Sequence, residues 1–154
     1  MKKLAISLLA TAALSASAFD TEGLKVNLSH GQDKTVKASL NTFTVSKEYY
    51  GVDVSGVVSR AAEAYTSYGL QVGKTVPVGP VALAPHVGFM AVNMDGTYNS
   101  AGIRDANVYT AGLTLFVPVA KNVALTADWT HRVNQNSDGQ LQGKAVTFGV
   151  NIGL

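Results

Sequence analysis

The sequence predicts an all-β fold, an eight-stranded antiparallel up-and-down transmembrane β-barrel preceded by a cleavable signal peptide. Three observations lead to this prediction. The chain opens with a segment that has the anatomy of an export signal, and eight later segments alternate apolar with small or polar residues. Only 14% of the residues are charged, whereas soluble domains have about a quarter. The length of 154 residues suits a single domain.

Residues 1–18 have the features of a secretory signal peptide. Two lysines after Met1 form the basic region, residues 4–14 form an apolar region too short to span a bilayer, and residues 16–18 (Ala-Ser-Ala) form a cleavage site. We therefore expect export, with residues 19–154 as the mature barrel domain. The signal holds two of the 12 Lys and Arg and none of the 10 Asp and Glu, so the mature chain is neutral. Without a basic patch, we expect no nucleic-acid partner. The sequence has no cysteine, so no disulfide holds the fold.

Eight segments show the period-two alternation of a strand with one apolar face. Nine or ten residues at about 3.3 Å each, tilted by about 40°, rise about 25 Å, which is the height of the apolar band of an outer-membrane barrel. Ordinary globular strands average only about five or six residues. In order along the chain the segments are 23–30, 35–42, 50–58, 66–74, 81–89, 108–117, 123–131 and 145–154.

The connectors between these segments fall into two sets that alternate along the chain. Short ones at 46–48, 77–80 and 118–122 predict tight turns, and Gly, Pro, Asn and Asp mark the others as turns or loops. Such an alternation matches the periplasmic and extracellular ends of a barrel. Pro85 lies inside the fifth segment and should distort it, because proline cannot donate to a strand ladder. The second set of connectors is 31–34, 59–64, 93–107 and 133–143.

Two barrels fit this pattern, and they differ in which face meets water. In a membrane barrel the apolar face meets lipid, and small residues fill the narrow interior. In a soluble periplasmic barrel of the lipocalin kind, the apolar face would line the interior and bind an apolar ligand. The second face of the segments is mainly Gly, Ala, Ser, Thr, Asn and Gln, which favours the membrane barrel. The last segment should then place Thr147, Gly149 and Asn151 inside.

The predicted interior carries a small polar cluster. Because isolated charges are costly in a confined interior, we expect Asp53 and Asp128 to pair with the lysines or with Arg132. Counting from the 77–80 turn also places Gln71 opposite His86. We expect a structural role for this cluster, whose members are Lys25, Lys37, Asp53, Gln71, His86, Asp128 and Arg132.

Four aromatic residues on the apolar faces should lie at a similar height. They stand seven to nine residues from the two tight turns at 77–80 and 118–122. Tyr and Trp concentrate at membrane interfaces, so the spacing predicts an aromatic belt at one interface. Its members are Tyr68, Phe89, Tyr109 and Trp129.

The stretch YTAGLTLFVPVAKNVALTADWTHR (109–132) resembles the penultimate hairpin of small outer-membrane barrels of the OmpA-transmembrane, OmpX/Ail and opacity-protein type. The resemblance implies a monomer in the outer membrane of a Gram-negative bacterium, in contact with the bilayer and lipopolysaccharide. It also implies a structural or cell-surface interaction role without an open pore. The last strand is similar to the signal read by the outer-membrane assembly machinery, although that signal usually ends in an aromatic residue. The residues concerned are Val146, Phe148, Val150, Ile152 and Leu154.

Catalysis and cofactor binding are not expected. Lipid-modifying barrels of the deacylase family carry a His-x-Ser pair, whereas His131 is followed two positions on by Val133, and Ser137 lies in a connector. A nucleophile needs its base within hydrogen-bond reach, so we expect no enzyme. The three histidines lack metal-ligand spacing. Any surface ligand should meet the longest connector, 93–107, which carries Tyr98, Arg104 and Asp105.

Overall fold

A computed structural model describes residues 23–95, 105–134 and 141–154. The predicted signal peptide at 1–18 and part of the 93–107 connector lie outside these residues. Within the described ranges, no helix is long and apolar enough to span a membrane. The strands are β1 (Leu24–Asp33), β2 (Ala38–Tyr49), β3 (Val52–Ala61), β4 (Tyr65–Gly73), β5 (Val76–Val78), β6 (Val81–Met94), β7 (Ala106–Ala120), β8 (Val123–Asn134) and β9 (Gly143–Gly153).

The sheet closes into a barrel because β9 pairs with β1, from Lys25 opposite Gly153 to Asp33 opposite Ala145. All other pairings are antiparallel between neighbouring strands, with β4 and β5 both on β6. Since β4 and β5 meet β6 in one register, they form a single barrel strand. The prediction of an eight-stranded antiparallel up-and-down barrel is therefore confirmed.

The interruption between β4 and β5 lies at residues 74–75, opposite Pro85 and its neighbour on β6. Pro85 has no N–H to donate, so the ladder loses a bond there. Its carbonyl still accepts a hydrogen bond from the N–H of Lys74 (3.2 Å). The expected distortion is thus a gap in the ladder without a change of register.

The strands are strongly tilted, as the ladder shows when partners are followed around the ring. A path that starts at position 25 of β1 returns beside position 35, a shift of ten residues over eight strands. This shift accompanies the tilt of about 40° usual for eight-stranded barrels. The path runs through Lys25, Ser46, Ser55, Gln71, Gly88, Thr110, Arg132 and Gly143, which packs against Thr35.

The two ends of the barrel differ. Tight connections at residues 50–51, 79–80 and 121–122 define the turn end, and the other four connections leave from the opposite end, the loop end. The predicted turn at 46–48 is wrong, because β2 continues to Tyr49 and the chain reverses at Tyr50 (φ 51°) and Gly51 (φ 77°). Positive φ at both positions matches the twist of two-residue hairpins. Strands β1 and β3 also run further than predicted, into the 31–34 and 59–64 connectors.

Outward side chains are apolar over most of the barrel, whereas inward ones are small and polar. Leu70 is 66% exposed and Phe148 is 64% exposed, while Thr147 on the inner face is 5% exposed. The pattern inverts near the loop end, where the interior becomes an apolar cluster and the outer face becomes polar. We call the inner cluster the apolar plug. It contains Leu40, Val57, Ala61, Ala64, Tyr65, Met90, Val92, Met94, Val108, Leu141 and Ala145.

Candidate functional site

Below the apolar plug, the barrel encloses a cavity of about 300 Å³. Ser and Thr are the commonest residues in its wall, 12 of 28, with Asn27 and Asn151 toward the turn end. The amide of Asn27 donates to Thr126 Oγ1 across the lumen (2.9 Å). Three groups of ionisable side chains are spaced along this interior, at its turn end, its middle and its loop end.

The turn-end group is the most exposed of the three. Lys25 Nζ donates to Asp53 Oδ1 (2.9 Å) and lies 3.8 Å from a carboxylate oxygen of Glu48. The hydroxyl of Thr75, in the interruption of the β4–β5 strand, donates to Asp53 Oδ2 (2.7 Å). The side chains of Lys25 and Asp53 retain 28% and 14% exposure and that of Glu48 retains 51%, so this group lies at the mouth of the cavity.

The middle group is centred on Asp128. Its Oδ2 accepts from His86 Nε2–H (2.8 Å) and Thr114 Oγ1 (2.7 Å), and its Oδ1 accepts from Thr130 Oγ1 (2.6 Å). The expected pairing of Asp128 with a lysine or Arg132 is therefore wrong, since neutral hydroxyls and an imidazole satisfy this carboxylate. The Cβ position of Gly112 lies 2.5 Å from His86 Cε1, so the missing side chain makes room for the ring.

The register corrects a second expectation in this region. His86 lies opposite Gly73 and Gly112, whereas Gln71 lies opposite Gly88. The predicted Gln71–His86 pair is wrong because the hairpin turns at residues 79–80, with Val78 opposite Val81. The reversal is one residue later than the sequence count assumed, which moves the partner by two positions.

The loop-end group is fully buried and joins three strands. Arg132 from β8 and the hydroxyl of Tyr65 from β4 both donate to Asp33 Oδ2, and Arg132 also donates to the Tyr65 hydroxyl. Asp33 Oδ1 accepts from the backbone N–H groups of Thr35 (2.8 Å) and Val36 (3.3 Å). Asp33 thus pairs with Arg132 and also fixes the β1–β2 connection. Sequence reasoning missed Asp33 because it assigned residues 31–34 to a connector.

The prediction for Lys37 is wrong. This residue is exposed in the β1–β2 connection with φ at 54°, and it does not line the cavity. The alternation in 35–42 is inverted relative to the prediction, since Ala38 and Leu40 point inward and Asn41 points outward. The physical reason is the apolar plug, which takes the aliphatic residues of this segment into the interior.

Comparison with known proteins identifies the fold. No protein-family model matches the sequence, and no curated protein matches it. Solved structures do match: the N-terminal β-barrel domain of Pseudomonas aeruginosa OprF has a TM-score of 0.69 at 9% identity, covering 86% of this chain and 98% of that chain. Neisserial surface protein A has a TM-score of 0.61 at 11% identity, covering 85% and 96%. A designed transmembrane β-barrel has a TM-score of 0.58 at 15% identity, covering 86% and 97%.

This is the fold of the small eight-stranded outer-membrane barrels. Within it, the four aromatic residues predicted as a belt all lie on the outer face and are about half exposed. Phe89 and Tyr109 are ladder partners whose ring centroids are 5.6 Å apart. Tyr68 lies two residues from the partner of Phe89 on β4. Trp129 lies four residues from the partner of Tyr109 on β8, toward the turn end.

The final strand of this outer-membrane-barrel fold pairs with both β8 and β1. Its residues predicted as an assembly signal lie on the outer face, with Phe148 the most exposed of them. His131, the histidine considered for catalysis, also lies outside the lumen, where its ring stacks on Trp129 (centroids 6.5 Å apart, 16° between planes). Ser137, Tyr98 and Arg104 lie outside the described residues.

Proposed function

We propose that this chain is an exported outer-membrane protein whose barrel is a closed, non-conducting scaffold with a structural or cell-surface interaction role. The observation that supports this proposal is the band of exposed apolar side chains around a polar, ion-paired interior. In water, such a band would far exceed the few hundred Å² of contiguous apolar surface that soluble monomers expose. In a bilayer the same band is the part that meets lipid.

The soluble lipocalin-like alternative requires the reverse arrangement. An apolar ligand would need an apolar interior, but the cavity wall is hydroxyl-rich and contains the Lys25–Asp53 and His86–Asp128 pairs. Burying an apolar ligand against such groups would strip them of water without replacing their hydrogen bonds. The observed faces therefore favour the membrane barrel.

The interior also argues against an open pore. Above the cavity, the apolar plug fills the barrel, and Leu141 from the β8–β9 connection is buried within it. Arg132 and Asp33 cross the lumen at the same level and are 5% and 0% exposed. An ion moving along the axis would have to displace both the plug and this pair.

A surface interaction would fall to the loop end. There the N–H of Met94 donates to Asp105 Oδ1 (2.7 Å), which closes the base of the 93–107 connector, and Asp95 N–H donates to Ala64 O (2.8 Å). Such bonds would hold a binding loop on a rigid scaffold. We propose the bilayer with its lipopolysaccharide and the assembly machinery as further partners, and a monomeric, non-catalytic protein.

Fractionation combined with a heat-modifiability gel tests the membrane proposal. We expect the protein in the outer-membrane fraction, with an unboiled sample that migrates differently from a boiled one. Recovery in the soluble periplasm without a heat-dependent shift would refute it. Conductance of the purified barrel in planar bilayers tests the closed interior separately, and stable single-channel openings would contradict the proposed occlusion.

A further inference from the structure

The outer surface near the loop end is chemically divided around the barrel. On strands β4, β6 and β7 it carries Tyr68, Phe89 and Tyr109, with neutral polar residues above them. On strands β8, β9, β1, β2 and β3 it carries cationic, imidazole and amide groups instead. We call this second half the basic strip. Its members are His131, Lys144, Lys34, His30, Asn41 and Arg60.

The members of the basic strip form two groups of ladder neighbours. Lys144 lies opposite His131, and its carbonyl accepts from the N–H of Lys34 (2.9 Å). His30 lies opposite Asn41 and its Nδ1–H donates to the Asn41 amide oxygen (2.8 Å). Asn41 in turn lies opposite Arg60. Between Lys34 and His30, the exposed side chain of Gln32 accepts a hydrogen bond from Lys34 Nζ (2.5 Å), so polar groups continue across the five strands.

At one end of the strip, a cation lies over an aromatic ring at the margin of the apolar band. Lys144 Nζ is 5.9 Å from the centroid of the Trp129 ring, on which His131 also stacks. The outward residues next toward the turn end on the neighbouring strands are aromatic or aliphatic, among them Phe148 and Leu28. The strip thus lies where the headgroups of a bilayer would meet its hydrocarbon.

The described acidic residues do not neutralise this strip. The ion pairs among the described residues lie in the barrel interior or at its turn-end mouth, and Asp33 points inward to Arg132. Glu63, exposed in the β3–β4 connection three residues after Arg60, forms no ion pair with it. Asp95 and Asp105 lie at the base of the β6–β7 connection, on the aromatic half. The exposed cations of Lys34, Lys144 and Arg60 are therefore available to an external anion.

We propose that the basic strip binds the phosphorylated headgroup of an outer-leaflet glycolipid of the lipid A class. This inference rests on the proposed outer-membrane function. The acyl chains would lie against the apolar band, and the phosphates would contact the cations above it. Arg60 on β3 and Lys144 on β9 are about 14 Å apart across three strand spacings and four residues, about 13 Å, apart along the strands, which separates their backbones by roughly 19 Å. Two phosphates on one disaccharide can contact both extended side chains over that span, whereas a single phosphodiester headgroup cannot.

Trp129 provides the probe, because it is the single tryptophan of the sequence and lies beneath Lys144. The protein would be folded into phosphatidylcholine nanodiscs and titrated with lipid A while Trp129 emission is recorded. We expect a saturable change in emission. The lipid A concentration at its midpoint should be about 25-fold higher in Lys34→Gln/Lys144→Gln, because the loss of each cation should weaken binding about fivefold. Arg60→Gln should raise it about fivefold. The matched control is Lys74→Gln/Lys121→Gln, which removes two exposed cations at the turn end and should bind as the wild type does.

The outcomes separate this inference from the proposed function. Brominated phosphatidylcholine should quench Trp129 in the wild type and in both double variants, because insertion does not depend on the strip. Quenching without saturable lipid A binding would overturn the inference and leave the membrane proposal standing, whereas no quenching would count against the membrane proposal itself. If the two double variants lose lipid A affinity equally, or if phosphatidylglycerol at matched charge binds as well as lipid A, the effect is general electrostatic attraction. Either result would overturn the proposed lipid A site.

Discussion

Replacing Arg132 with methionine tests the role of the buried loop-end group. Arg132 is the cation that neutralises Asp33, and both side chains are almost completely buried. Methionine keeps a long, flexible apolar side chain among the plug residues, so the main loss is the charge and its hydrogen bonds. Asp33 would then keep only the hydroxyl of Tyr65 and the N–H groups of Thr35 and Val36.

Removing one partner of a buried ion pair costs about 3–5 kcal/mol, because the other charge stays desolvated. The three donors left to Asp33 place Arg132→Met at the lower limit, so we expect a loss of about 3 kcal/mol in the free energy of unfolding. Adding Asp33→Asn removes the orphaned charge and keeps an oxygen for the Thr35 N–H. We therefore expect the double variant to lose only about 1 kcal/mol, the typical value of a neutral hydrogen bond.

Urea unfolding in phosphatidylcholine vesicles, followed by Trp129 fluorescence, measures these differences. Trp129 is three residues from Arg132 on the same strand, but its side chain lies on the outer face while that of Arg132 points inward. Unfolding and refolding curves must coincide for the free energies to be compared. Asp33→Asn is the decisive control, because adding it to Arg132→Met should restore most of the lost stability. The reasoning is refuted if Arg132→Met unfolds within 1 kcal/mol of the wild type, or if the double variant is less stable than the single one.

Three further substitutions test the interior and the outer face. Gly112→Ala should lower the melting temperature, because its Cβ would lie 2.5 Å from the His86 ring. Gly56→Ala, whose Cβ would have nothing within 4 Å, should keep or raise it. A melting temperature lowered less by Gly112→Ala than by Gly56→Ala would contradict this. Leu125→Arg, on the outer face four residues from Trp129 toward the turn end, should cost about 2–4 kcal/mol in vesicles, and an effect within about 0.5 kcal/mol, normal for a water-exposed site, would indicate a soluble barrel. Lys25→Met should lower the free energy of unfolding by only about 1 kcal/mol in the same urea assay, because water reaches its partner carboxylate, Asp53. A loss equal to that of Arg132→Met would show that the turn-end group is shielded from water.

Alternation along the sequence was sufficient to predict the strand number and most of the inner and outer faces. It works best where one face is apolar throughout, as in β9, because a one-residue slip would exchange the two faces of the whole strand. It was weaker at the connections. The turn at Tyr50 and Gly51 was placed too early because a tyrosine with positive φ carries no turn signal of its own.

The polar partners in the interior were harder to predict because they depend on the register around the whole ring. His86 and Asp128 are 42 residues apart, and Arg132 and Asp33 are 99 apart. A two-residue error at one hairpin is enough to change the partner of every inward side chain on that pair of strands. Tyr65 shows a further reason: the alternation places it on the inner face, three residues from the outward Tyr68, but gives no sign of its distant partners Asp33 and Arg132.

The inversion of polarity at the loop end gives the failed prediction for Lys37 a physical meaning. An apolar residue points toward whichever surroundings lack water, which in the proposed membrane setting is lipid along the band and the barrel interior beyond it. At the loop end Leu40 turns inward while Asn41 and Arg60 turn outward, so the outer surface there is no longer apolar. The level at which the faces exchange therefore marks the edge of the apolar band. The same level carries the basic strip on one half of the barrel and the aromatic residues on the other, which agrees with the headgroup boundary proposed above.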